Sequence, residues 1–371
     1  MKKVGILNFH YSTHNYGAVL QAASLAKYIE SLGYDVEHID FIPQDDSKTL
    51  KRQLRTYLGK VARALKLLPP LSEKKQKGAK NNEVFDYFRY NWIKTSNEKF
   101  TTGDDLKRYN FEYDAVVVGS DQVWRPAYTT DNMMFYFLSF LPDNVRRVAY
   151  AASFGVSEWE SKYNNKVNLV KKELEKFKAI SVREDTGVSI CEETFGVTSE
   201  HVLDPTLLVG REFFQSLLPV TSKLKYHKVV YYKLDVDAEF KLFIDKVSQS
   251  YSNSVENIYL EKTGADYSFY PVDMWVDKIA KSDVVITDSF HCVCLSILFE
   301  KEFVCIINEN RGISRIKSLL HALGIEGRLF NNVNDIDFSK LEKIDYQNKV
   351  NDKLELLRES SSEFIKKALD E

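Results

Sequence analysis

The sequence predicts an α/β chain built as two similar halves, each a parallel sheet covered by helices, facing one another across a cleft. Three observations predict it. Short apolar runs that read as buried strands alternate with helical segments, a pattern that gives parallel sheets with helices on both faces. The alternation pauses at Leu203-Asp204-Pro205-Thr206 and then restarts. A length of 371 residues, 44% hydrophobic and 28% charged, is enough chain for two ordinary globular domains.

In the first half, Val4–Asn8 reads as a buried strand and His10–Tyr16 as a polar loop. Gly17–Ser31 follows as a helix, with Val19, Leu20, Ala23, Ala26, Tyr28 and Ile29 at apolar positions and Gly33 as its stop. Val36–Ile42, Ala115–Val118, Arg147–Ala152 and Ala179–Val182 read as further strands, the last preceded by a helix over Val167–Phe177. After the pause, strands are predicted at Lys228–Lys233, Asn257–Leu260, Asp283–Thr287 and Phe303–Ile307. Helices are predicted at Ala238–Ser250, Val272–Ala280, Phe290–Phe299 and Ser314–Ala322, with Gly324 as a stop. The expected division is residues 1–206, residues 207–350, and a C-terminal helix, 351–371, that runs back across the junction.

Charge is unevenly spread. Residues 47–80 carry eleven Lys/Arg and one Glu, a local +10, which leaves −12 on the rest of a chain whose net charge is −2. Within that excursion Leu50, Leu54, Tyr57, Leu58, Val61, Leu65 and Leu68 recur at helical spacing, and Pro69-Pro70 ends the run. A basic amphipathic helix suits an anionic membrane surface; the alternative is a helix packed on its own domain with a solvated basic face. The apolar run at the N-terminus stops after Leu7, too short for a signal peptide, and no apolar run approaches the roughly 20 residues of a spanning helix. The expectation is a cytoplasmic protein with peripheral contact at the inner face of the membrane and no nucleic-acid partner. Cys191, Cys292, Cys294 and Cys305 read as reduced, buried thiols. His291, Cys292 and Cys294 do not make a metal site, because helical residues one and two apart diverge.

The chemistry concentrates where strands turn into helices. Ala280–His291 ends an apolar strand in Thr287-Asp288-Ser289, and His291 follows at a helix start. Such a corner favours anions, and a histidine there can hold or move a proton. The loop from His10 to Gly17 lacks a dinucleotide fingerprint. Gly17 permits close approach of a ligand, while Asn15 and Tyr16 offer hydrogen bonds to hydroxyls; the plainer reading of Asn15 is a helix N-cap. Asp121, Gln122 and Trp124, after the strand ending at Val118, form a set suited to a sugar, with core packing as the alternative for the indole. Arg183 reads either as an anion-binding fork or as an ion pair with Glu184, Asp185 or Asp204. Arg311 and Arg315 flank Gly312 in the loop after Phe303–Ile307, and read either as anion ligands or as solvated surface charge.

Taken in order, Asn15-Tyr16-Gly17-Ala18-Val19-Leu20-Gln21, Val118–Trp124, Tyr150–Gly155, Ser181–Glu184, Leu203–Thr206 and Thr287–His291 resemble the polysaccharide pyruvyl transferase family over almost the whole chain. The resemblance implies two Rossmann-like domains in the GT-B arrangement. It also implies transfer of a pyruvyl group from phosphoenolpyruvate to two sugar hydroxyls, giving a cyclic ketal and phosphate, without a metal or organic cofactor. It makes His291 the general acid/base and Arg183 a donor-site arginine, with the donor in the C-terminal half. Asn15, Tyr16, Gly17, Asp121 and Trp124 fall on the acceptor side. Much of the family has Arg-Leu-His where this chain has Ser289-Phe290-His291, so Arg311 or Arg315 must supply the missing charge beside Ser289. Cys292 stands where glycine or alanine is commoner. Two other readings are a GT-B glycosyltransferase using a nucleotide sugar and a non-catalytic glycan-binding protein on the same fold.

Overall fold

A computed structural model of the chain describes residues 1–43, 81–219, 227–252, 254–263, 266–308 and 311–370. The helix expected over Leu50–Leu68 lies outside the described residues. The first sheet contains β1 (Lys3–Leu7), β2 (Asp35–Phe41), β3 (Thr95–Phe100), β4 (Ala115–Val118), β5 (Arg146–Ala152), β6 (Ala179–Val182) and β7 (Glu200–His201). Its order is β3-β2-β1-β4-β5-β6-β7, every pair parallel. The second sheet contains β8 (Val229–Tyr232) and β9 (Val255–Asn257), then, after a small antiparallel hairpin of β10 (Glu261–Thr263) and β11 (Asp266–Ser268), β12 (Val284–Thr287), β13 (Glu302–Ile306) and β14 (Leu329–Phe330). Its order is β14-β13-β12-β8-β9, again parallel throughout.

Central strands are short β-branched runs buried on both faces, as in Ala-Val-Val-Val of β4 and Val-Val-Ile-Thr of β12. The edges are less apolar. β3, Thr-Ser-Asn-Glu-Lys-Phe, has three exposed residues and pairs only with β2, which is why its sequence carries no strand signal. β9 begins two residues earlier than the sequence predicts. Its pairing with β8 starts at Val255, and Ile258 instead turns into the core.

The helix Tyr16–Ser31 is buried along most of its length because it fills the space between the two halves. Tyr16 stacks on Trp275 (centroids 4.6 Å apart, planes 5° apart), meets Tyr232 edge-on, and donates its hydroxyl to the Tyr270 carbonyl at 2.9 Å. The halves therefore share one apolar core at this point. The helix Asn351–Asp370 runs from one half to the other. Leu354 packs in the core shared with the second sheet, while Phe364, Ile365, Ala368 and Leu369 pack with residues of β1, β4 and β5. Arg146 of β5 donates to the Leu369 carbonyl at 2.5 Å, tying down the helix end. Among the described residues, no helix is long and apolar enough to cross a membrane.

Candidate active site

The carboxyl ends of the parallel strands from both sheets meet, where ligands bind in open α/β folds. The turn after β4 brings Ser120 and Asp121, the end of β6 brings Arg183, and Asp204 caps the helix Pro205–Leu208 through the Thr206 amide. From the second sheet, β12 leads into the helix Phe290–Leu298 with His291 in its first turn, and the helix Ile313–Leu323 contributes Arg315.

Arg183 is the hub. Its Nη1 donates to Asp204 at 2.6 Å and to the Ser120 hydroxyl at 3.2 Å, and its Nη2 donates to Asp121 at 3.0 Å. All of these groups are buried. Burial pushes the Asp204 carboxyl up, but Arg183 and then His291 outweigh it and hold it at about 2. Asp121 sits at φ 75, a left-handed conformation rare for residues with side chains and often found at functional sites. Arg183 thus spends its fork on the two carboxylates and acts as a positioning group. Only its Nε lacks a partner among the described residues.

His291 is buried, its Nε2 stands 3.8 Å from Asp204, and that nitrogen has no hydrogen-bond partner among the described residues. Burial drives the imidazole down to about 4, even though Asp204 pulls the other way. The ring is neutral at pH 7 and free to accept a proton. Its position depends on Gly17: a Cβ there would lie 2.0 Å from His291 Nδ1. The close approach at Gly17 is therefore made by the histidine of the other half rather than by a ligand.

Positive charge gathers beside this histidine. Arg315 is buried, its Nη1 stands 3.8 Å from Asp121, and Nε and Nη2 donate to the carbonyls of Gly312 and Arg311 at 3.2 and 2.5 Å. Burial lowers it to about 10, which still leaves it charged at neutral pH. The Phe290 ring meets both guanidinium groups, its centroid 5.0 Å from Arg183 and 5.4 Å from Arg315. Lys233, at the end of β8, pairs with Asp288 at 2.9 Å, directly before Ser289. The Ser289 amide donates to Thr287 Oγ1 at 3.0 Å. Arg311 is half-exposed and held bidentate on Asp235 at 3.0 and 3.1 Å, and Asn308 links Asp235 to Asp288 at 2.8 Å each.

The remaining sequence-predicted residues divide. Asn15 is an exposed N-cap that accepts from the Ala18 amide at 3.3 Å. Tyr16 presents no free hydroxyl to a sugar, because it is sealed in the core between the halves. Trp124 offers no platform: it is fully buried, stacked on Phe137, with its indole N–H donated to the Tyr136 carbonyl at 2.9 Å. Gln122 accepts from Arg125 at 2.9 Å. Sequence reasoning passed over Asp204, Phe290 and Lys233 as site residues. Asp204 read as a domain boundary and as one of three ion-pair partners for Arg183, the one that the 2.6 Å bond bears out; an Asp before Pro at a helix start is also a capping signal. Phe290 read only as the first residue of a helix and Lys233 only as the last residue of a strand. Glu184, fully buried, organises the neighbouring loop by accepting from the Ser153 hydroxyl and the Phe154 and Gly155 amides at 2.8–3.0 Å.

Comparison with known proteins bears on both fold and family. The chain is similar to UDP-GlcNAc 2-epimerase from Neisseria meningitidis (TM-score 0.50, 11% identity, covering 100% of this chain and 99% of that one). It is likewise similar to S. aureus MnaA in its UDP co-structure (TM-score 0.52, 11% identity, 89% and 84% covered). At such identities the likeness is one of fold, the two-domain GT-B arrangement. No curated protein matches the chain by sequence. The profile of one family, polysaccharide pyruvyl transferase, matches residues 15–310, a span that holds Asp121, Arg183, Asp204 and His291, and the chain belongs to that family.

Proposed function

We propose that the protein transfers the pyruvyl group of phosphoenolpyruvate onto two hydroxyls of a sugar in a polysaccharide precursor or lipid-linked glycan, closing a cyclic ketal and releasing phosphate. The observation that supports it most is a neutral, unpartnered His291 beside buried Arg315 and the start of the helix Phe290–Leu298. The donor carries a carboxylate and a phosphate and needs fixed positive charge. Arg315 Nη1, the Ser289 hydroxyl and the amides opening that helix are the groups available to it. This set fills the gap left where much of the family has an arginine at position 289. Arg183 holds Asp121 and Asp204 in place.

Burial keeps His291 unprotonated. Arrival of a multiply charged anion reverses the balance and favours the imidazolium. That proton goes to the donor's methylene carbon, making it a methyl group and leaving an oxocarbenium-like carbon for a sugar hydroxyl to attack. The reading calls for no metal or organic cofactor, since side chains supply proton transfer and charge. The protein would work in the cytoplasm, with segment 47–80 bringing it to the inner membrane face where lipid-linked acceptors lie.

The test is turnover of phosphoenolpyruvate with galactose-, glucose- and mannose-type diols, followed by phosphate release and by mass spectrometry of the sugar. Stoichiometric phosphate and ketal, abolished in His291→Gln, are expected. Consumption of a nucleotide sugar with phosphoenolpyruvate untouched would overturn the reading.

A further inference from the structure

We propose that His10, oriented by Asp40, is a second proton acceptor that serves the second sugar hydroxyl; this rests on the pyruvyl-transfer reading above. His10 opens the loop after β1 and is almost completely buried. Its Nε2 lies 3.2 Å from Asp40 Oδ1 at the end of β2, while its Nδ1 has no partner among the described residues. A carboxylate accepts only a proton-bearing nitrogen, so this contact puts a hydrogen on Nε2; in the neutral ring the lone pair is then on Nδ1. A buried ring nitrogen left without a partner is unfavourable and open to a hydrogen bond from a bound hydroxyl.

The surroundings tie His10 to the reaction centre. Its backbone amide donates to Asn8 Oδ1 at 3.1 Å, and the Asn8 amide donates to the Gly119 carbonyl at 3.1 Å, one residue before Ser120-Asp121. Tyr11, next in the chain, reaches the Tyr136 hydroxyl at 3.4 Å. Burial raises the Tyr11 phenol, with the charge of Asp121 adding to the effect. The same β1–helix connection ends at Gly17, against His291. His38, whose ring centroid is 5.4 Å from that of His10, is held neutral chiefly by burial, so it sets no positive charge beside the dyad. Asp40 stays partly open to solvent, and its backbone amide donates to Ser96 Oγ at 3.0 Å.

Ketal formation removes two hydroxyl protons. The first hydroxyl bonds to the former vinyl carbon, and its proton balances, through His291, the one added to the methylene. The carbon–oxygen bond to phosphate then breaks, the electron pair leaving with phosphate. The second hydroxyl oxygen bonds to the same carbon and gives its proton to His10 Nδ1, from which it departs with the product as hydrogen phosphate. His10 follows the first strand of the first sheet, and His291 opens the helix that follows β12 of the second.

Two measurements decide the matter. In protein labelled with nitrogen-15 at histidine, His10 should show a protonated Nε2 and an unprotonated Nδ1; a proton on Nδ1 overturns the inference without any substrate. In turnover, folded His10→Gln should lose about 10²- to 10⁴-fold in kcat with little change in donor KM, and should accumulate a singly linked, phosphate-bearing adduct. Asp40→Asn should fall in the same direction by less. Ketal formation by His10→Gln at the wild-type rate overturns the inference and leaves the pyruvyl-transfer reading standing. Wild-type protein inert to phosphoenolpyruvate with every diol overturns that reading and this inference with it.

Discussion

At the scale of single residues, the site depends on close approaches and on which cation is free. A Cβ at position 17 has nowhere to go but into the His291 ring. Gly17→Ala should therefore keep the fold and lose about 10²-fold in kcat, since a misplaced proton carrier costs that much; steady-state kinetics beside circular dichroism checks it. Arg315 and Arg311 look equivalent in sequence, four residues apart around Gly312. Arg315 is buried, while Arg311 is half-exposed with its fork taken up by Asp235. Arg315→Ala should raise the donor KM at least tenfold, and Arg311→Ala should change it less than threefold. Equal effects from the two would contradict this assignment of charge. Arg183→Ala should instead unfold the protein readily, by about 3–5 kcal/mol in chemical denaturation, because it strands two buried carboxylates.

Among the elements, periodicity and burial made the central strands legible. β4 and β6 run over the predicted residues, and other central strands lie within one residue of them, because buried β-branched runs have few alternatives. The edge strand β3 and the start of β9 were hidden, since edges are paired on one side and tolerate polar residues. The site was legible in part for a related reason. Strand-to-helix corners announce themselves, so Asp121, Arg183 and His291 stood out. Side chains whose task depends on a distant neighbour did not: nothing in the sequence tells that Tyr16 faces Trp275, or that Phe290 meets two arginines. At the contact between halves, Tyr16→Phe should cost about 1 kcal/mol for the lost bond to Tyr270, whereas Trp275→Ala should cost about 3–5 kcal/mol, both read from denaturant midpoints. For segment 47–80, vesicle sedimentation should show stronger binding to anionic than to neutral vesicles, and equal binding to both would contradict membrane contact.

For the whole molecule, the buried site ties stability to pH. His291 and His38 have folded values below the ordinary 6.5, His291 at about 4, because burial disfavours their charged forms. The unfolded chain binds protons at these groups first, so their neutral burial carries no penalty above about pH 6.5 and stability falls as pH drops from there toward 4. Asp204, depressed from 3.8 to about 2, contributes stability above 3.8 that is lost as pH falls through 2. Thermal unfolding should show Tm decreasing below pH 6.5, with the first part of that fall smaller in His291→Gln. The central claim is that this site takes up phosphoenolpyruvate and protonates His291 in doing so. Calorimetric titration of phosphoenolpyruvate near pH 7, in two buffers of different ionisation enthalpy, measures both events at once. The account predicts binding with net proton uptake in the wild type and binding without uptake in His291→Gln. Absence of binding, or binding with the same heat in both buffers, would contradict it.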